Sequence, residues 1–180
     1  MTHRTVRALG ALVGAALLGA CASEPYVPID FASAAVPVAE ESAPLSGAAL
    51  AQRRIELARA YRDLEHFHDT LESLDARGDH KAEAQLQRFA DGYLGLHVSP
   101  LLIHQWQSRH PELAGLDANL RFAHADVLMR MRDTSRAQHV IDDIATRYAG
   151  REQMLVEYPF GAQNPLGTAL QALRTNKWSR

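Results

Sequence analysis

The sequence predicts an all-α domain over residues 46–180. Apolar side chains recur at steps of three and four along every long segment. Cap-forming residues, glycines and prolines stand where those segments begin and end. No stretch alternates with period two for long enough to read as a strand.

Taken in order, the first helix is announced by the absence of proline and glycine from Ala48 to Arg77. Leu50, Leu57, Tyr61, Leu64, Phe67, Leu71 and Leu74 form its apolar stripe, Ser46 is its expected N-cap, and Gly78 ends it. A second helix, Asp79 to Leu94, carries Ala82, Leu86, Phe89, Ala90 and Tyr93. The short break at Gly78 predicts that these two form an antiparallel hairpin. Ser99-Pro100 reads as a cap followed by proline at the first helical position, opening a short helix with Leu101, Leu102, Ile103 and Trp106. It stops before Pro111. A longer helix, about Glu112 to Arg132, presents Leu113, Leu116, Leu120, Ala123, Val127 and Met131. Asp133 or Thr134 caps the next, whose face is Ala137, Val140, Ile141, Ile144 and Tyr148, and Gly150 closes it. After a loop containing Tyr158-Pro159-Phe160-Gly161, Asn164-Pro165 starts a last helix with Leu166, Ala169, Leu170 and Leu173.

Paired helices invite a search for repeats. Leu57-Ala58-x-x-Tyr61 resembles the first helix of a tetratricopeptide unit, and Asp133-Thr134-Ser135-Arg136-Ala137-x-x-x-Ile141 resembles its turn and second helix. In that register the small residue of the first helix falls at Ala58 and Ala125, close to two periods apart. The sequence departs from the pattern in two places. Nothing between Asp63 and Phe67 marks the required turn, and a middle unit would have Gly95 where the pattern has tyrosine. A degenerate array of such hairpins and a less regular helical bundle are the two expected architectures.

The N-terminal segment has a different chemistry. Arg4 and Arg7 precede an apolar run from Ala8 to Ala20. That run is too short to span a hydrocarbon core, which needs roughly 20 helical residues. Its length and basic flank are those of a signal-peptide core. Leu18-Gly19-Ala20-Cys21 resembles the bacterial lipobox, in which small residues admit a peptidase and the cysteine thiol accepts a diacylglyceryl group. The resemblance implies cleavage between Ala20 and Cys21, leaving residues 1–20 as signal peptide and Cys21 as the lipid anchor. One acyl chain holds a protein only marginally, at about 0.8 kcal/mol per buried CH₂, whereas two or three make attachment lasting. Cys21 is the only cysteine, so no intramolecular disulfide is available. Ala22 replaces the aspartate that in enterobacterial lipoproteins resembles an inner-membrane retention signal, which implies the outer membrane, facing the periplasm.

Residues 21–45 read as a tether. The segment holds Pro25, Pro28, Pro37 and Pro44, has no lysine or arginine, and carries Glu24, Asp30, Glu40 and Glu41. With so few large apolar side chains it cannot offset its ordering entropy. Such a length spans roughly 27 Å as a coil and up to about 75 Å extended. From Ser46 onward acidic and basic residues balance, so no basic face is implied and nucleic acid is not an expected partner.

Reactive chemistry is sparse. Glu65, His68 and Asp69 share one helical face at i, i+3 and i+4, a spacing that could offer zinc ligands, with His80 as a possible fourth if the hairpin folded it back. No H-E-x-x-H, cysteine pair, G-x-S-x-G, S-x-x-K or glycine-rich phosphate loop accompanies them. A solvated polar face is the simpler account of that cluster. His124 and His139 read as core-edge histidines, and Asp142-Asp143 point about 100° apart on a helix. Tyr158, Phe160 and Trp178 are candidate partner contacts if exposed; the alternative for the loop is that it closes the core. The expectation is therefore a non-enzymatic, lipid-anchored envelope protein, without cofactor, whose helical domain binds another protein as scaffold or assembly factor. The alternative is a small-ligand or metal-binding helical domain.

Overall fold

The computed structural model describes residues 45–175. Cys21, the signal segment, the tether as far as Pro44 and Trp178 lie outside them. Helix α1 (Gly47–Arg77) begins at Ser46, whose side chain accepts from the Ala49 amide, and ends at Gly78, where φ is 68°. That left-handed conformation lets the Gly78 amide turn back onto the carbonyls of Leu74 and Asp75. α1 runs unbroken through Asp63–Phe67, where a tetratricopeptide-type first unit would turn. Asp79 caps α2 (His80–Tyr93), which returns antiparallel along α1, with the Phe67 ring 5.8 Å from Phe89 and 5.3 Å from Tyr93.

Ser99 does not cap a new helix, contrary to the sequence expectation. The chain continues from α2 through a wide turn, Leu94–Val98, into α3 (Ser99–Leu102). The Ser99 amide reaches the Leu94 carbonyl five residues back, and its hydroxyl donates to the same oxygen at 3.0 Å. Two causes converge here. Pro100 supplies no amide to a regular helical ladder. The buried residues Ala90, Leu94, Val98 and Leu102 recur at steps of four. In a regular helix each such step drifts by about 40°, and a wider turn absorbs the drift. Of the apolar residues expected on this short helix, Leu102 is buried and Ile103 is exposed.

A tight turn at Gln105–Arg109 leads to α4 (Ala114–Arg130), the central helix. The single apolar stripe expected for it is corrected: Leu116 and Met131 are only half-buried, while Asp117, Ala118, Arg121, Phe122, Ala125, Asp126 and Leu128 are buried as well. The reason is position. α4 lies between α1 on one side and α5 (Thr134–Arg147) on the other, so little of it faces water. Side chains of α1 meet those of α4 and of the turn before it at a constant separation of 58 residues, Arg54 with Glu112, His68 with Asp126 and Glu72 with Arg130, which makes the two helices parallel neighbours. Asp133 caps α5, which runs back antiparallel to α4. Arg136 of α5 pairs with Asp91 of α2 at 2.6 Å, linking the second helix of each hairpin.

The loop after α5 holds the only strands among the described residues. β1 (Leu155–Glu157) pairs antiparallel with β2 (Gln163–Pro165), Val156 opposite Asn164. Three residues per strand is below what period-two alternation can reveal. α6 (Leu166–Thr175) then packs Leu166, Ala169 and Leu173 inward. Two apolar clusters result, with α4 common to both. Leu57, Leu64, Leu94, Leu120 and Val127 belong to one, and Phe122, Ile144, Tyr148, Val156 and Leu173 to the other. The described residues are all-α apart from this ribbon, and none of their helices is long and apolar enough to cross a membrane.

Candidate functional site

Beside the second cluster, α4 carries charge into the interior. Asp117 and Arg121 stand at i, i+4 and are 0% and 3% exposed. Arg121 donates from Nε to Asp117 Oδ2 at 2.8 Å, from Nη1 to Asp143 Oδ2 at 2.5 Å, and from Nη2 to the Leu102 carbonyl at 2.7 Å. Asp117 also accepts from the Tyr148 hydroxyl at 2.6 Å and from Gln107 Nε2 at 3.3 Å. Gln107 itself donates to the Leu101 carbonyl at 2.6 Å, so the network ties the open end of α3 to α4 and α5. Burial lowers the Arg121 pKa, but Asp117 and Asp143 outweigh it and the guanidinium is held above its ordinary value. Burial, then the Asp117 charge, pushes the Tyr148 phenol well up.

One edge of this network is open to solvent. A cleft of about 300 Å³ lies between α3 and α5 over α4, with Leu102, Ile103 and Val140 as apolar walls. Arg121, Asp143 and Arg147 supply its charged side, and His124 and His139 also line it. Arg147 directs Nε and Nη2 to Asp143 at 3.2 and 3.0 Å. Two guanidinium groups therefore share one carboxylate at the cleft wall, and Asp117 lies behind them. His124 Nδ1 is buried with no hydrogen-bond partner among the described residues. Burial, followed by the charges of Arg136 and Arg121, lowers the His124 pKa to about 4, so the ring is neutral at pH 7.

The sequence-predicted residues fall elsewhere. His68 does not join Glu65 and Asp69: its Nδ1 bonds Asp126 Oδ2, and its Nε2 lies 3.6 Å from Glu72 Oε2. Asp69 is exposed, and His80 stays exposed beside Glu83. Among the described residues no three His, Cys, Asp or Glu side chains converge to hold a metal ion. Tyr158, a candidate partner contact, is 3% exposed, stacks on Phe122 at 5.2 Å, and directs its hydroxyl to Asp126 at 3.2 Å. Phe160 is half-buried against Tyr61 and His68. The loop closes the core, because two aromatic rings find apolar partners over α1 and α4. His124 lies at the core edge, but its Nδ1 is not satisfied among the described residues as expected, and His139 is exposed. Asp142 and Asp143 do diverge, Asp142 accepting from Gln138 on the surface.

Sequence reasoning passed over Asp117, Arg121 and Arg147, and weighed Asp143 only as the neighbour of Asp142. The available signal was the Asp-x-x-x-Arg spacing that recurs in α4 and α5, at Asp117 to Arg121, Asp126 to Arg130 and Asp143 to Arg147. No protein-family model matches this chain, and neither a curated protein nor a solved structure matches it.

Proposed function

We propose that this chain is a lipid-anchored protein of the bacterial envelope whose helical domain binds a segment of another protein in the cleft between α3 and α5. The anchor rests on Leu18-Gly19-Ala20-Cys21 and the apolar run before it. Ala22 favours the outer membrane, facing the periplasm. The observation that carries the binding reading is the cleft, lined by Leu102 and Ile103 at α3, Arg121 of α4, and Val140, Asp143 and Arg147 of α5. Ile103 stands at its rim with 68% of its surface exposed, a large aliphatic group offered to a partner rather than to the core. The domain acts on this reading as a scaffold or assembly factor and not as an enzyme.

A photo-crosslinking residue at position 103, introduced into the full chain in growing cells, tests it. A discrete adduct from position 103, absent when the probe sits at exposed Lys81, is the expected result. Equal or no adducts at both positions overturn the reading. A small-ligand pocket is the second reading, favoured by the unpartnered Nδ1 of His124. Native mass spectrometry of the purified chain would then reveal a bound compound that Ile103→Glu does not displace.

A further inference from the structure

We infer that the outward side of the α1–α2 hairpin lies against anionic phospholipid headgroups, with Ile55, Phe89 and Leu96 entering the headgroup region between Arg59, Arg62 and Arg88. The inference rests on the lipid anchor proposed above and is independent of the cleft.

On α1, Ile55, Arg59, Arg62 and His66 stand at i, i+4, i+7 and i+11, one stripe turned away from the core, and all four are exposed. On α2 and the turn after it the buried line Ala90, Leu94 and Val98 fixes the orientation. Arg88, Gly92 and Leu96 lie two residues off that line, on the opposite side, and are exposed as well. The two stripes adjoin at the seam between the helices. There Phe89 stands beside Phe67, Tyr93 donates to Asp63 at 2.5 Å, and the His97 ring lies 4.9 Å from Tyr93. Arg59 belongs to the same seam: burial and the Asp63 bond push the Tyr93 phenol up, and the Arg59 charge opposes them.

Ile55, Phe89 and Leu96 are 61%, 67% and 75% exposed, three of the five large apolar side chains that the described residues leave in water. One such residue is ordinary, whereas three on one hairpin make a surface suited to an apolar contact. Charge selects the partner. Arg53 is paired with Glu56, Arg54 with Glu112 and Asp91 with Arg136, and Glu65 lies on another side of α1, beside Tyr61. Arg59, Arg62 and Arg88 then share this surface with one carboxylate, Asp63. The next acid along the stripe, Asp69, stands about 10 Å beyond Arg62. The basic part of the face is thus the part nearest Ser46, where the chain arrives from Cys21. A second copy would set these arginines against themselves, which like charges oppose. An anionic lipid surface suits both features, because arginines stay among the headgroups while aliphatic and aromatic groups enter the boundary below. The anchor keeps the face within reach of the bilayer, so a contact too weak to hold a free protein suffices.

The test uses the acylated chain isolated from membranes and reconstituted in vesicles of phosphatidylcholine alone or mixed with phosphatidylglycerol. Cys21 is the only cysteine and carries the lipid on the proposed anchoring, so Gly92→Cys provides a single labelling site, where a Cβ meets nothing within 4 Å. A nitrobenzoxadiazole label at position 92 is expected to be quenched by spin-labelled lipid in the mixed vesicles, and a label at exposed Gln171 of α6 is not. Concentrated salt should release the quenching. Arg59→Gln and Arg62→Gln should each lower the ratio of docked to free domain about fivefold, the worth of one basic residue near an anionic surface. Phe89→Ser should lower it too, with circular dichroism confirming that each variant is folded. Equal quenching at positions 92 and 171, or quenching indifferent to phosphatidylglycerol and to both arginine changes, overturns the inference; sedimentation of the chain with the vesicles then leaves the anchor standing. A label at position 92 shielded from aqueous iodide yet untouched by spin-labelled lipid assigns the face to a protein occupant and overturns it as well. A chain that sediments with neither vesicle removes the anchor and the docking together, and the crosslinking at position 103 judges the cleft separately.

Discussion

Asp117 and Arg121 place two opposite charges in the interior, 0% and 3% exposed. Taking either partner away leaves the other desolvated and uncompensated. Arg121→Met should therefore destabilise the domain by about 3–5 kcal/mol, read from urea unfolding of the full chain. Replacing both, as Asp117→Leu with Arg121→Met, should cost less than the sum of the two single changes, because no buried charge is then orphaned. A double variant that costs the full sum would show the pair to be independent. His124 gives a separate signature. Its pKa is depressed in the fold to about 4 from the ordinary 6.5, so between those values the unfolded chain binds the extra proton. Its contribution to stability is whole above pH 6.5 and is lost as pH falls toward 4. Urea titrations at stepped pH should show this decline, and His124→Phe should flatten it. At this scale only the local roles were legible beforehand. Ser46, Gly78 and Asp133 could be read as caps because a cap's partner lies three or four residues away. His68 could not be paired with Asp126, nor Arg121 with Asp143, because the partners stand on other helices.

Helices fared differently from connections. α1 ends where Gly78 adopts a φ of 68°, a conformation a side chain disfavours. Gly78→Ala should cost about 1–2 kcal/mol and leave the fold unchanged, measurable as a drop in Tm with an unaltered far-ultraviolet spectrum. No drop would mean the hairpin turn tolerates a right-handed residue. The periodic stripes of α1, α5 and α6 reported their buried faces correctly, since each has one wet side. α4 misled for the opposite reason: packed on both flanks, it buries polar and apolar residues alike, and a one-stripe reading sees half of it. The wide turn before Ser99 and the ribbon at Leu155–Glu157 escaped notice because each is shorter than the window in which a period can be counted.

At the level of the whole molecule, two hairpins, α1 with α2 and α4 with α5, stand side by side through parallel α1 and α4. The cleft lies where Arg121 of α4 bridges both sides, donating to the Leu102 carbonyl of α3 and to Asp143 of α5. On the proposed anchoring, Cys21→Ser should abolish the mass increment of acylation and move the chain from the vesicle pellet to the supernatant. A serine variant that sediments like the parent would remove the anchor from the account.

What the residues determined alone was the all-α class, the ends of most helices and the apolar faces that seek burial, because those depend on side chains a turn or two apart. The tertiary structure decided the separation of 58 residues between α1 and α4, the burial of Tyr158 and the assembly of Asp117, Arg121, Asp143 and Arg147 around a cleft. Those outcomes depend on which helices become neighbours, and that is settled by the joint packing of surfaces far apart in the chain, which no local pattern encodes.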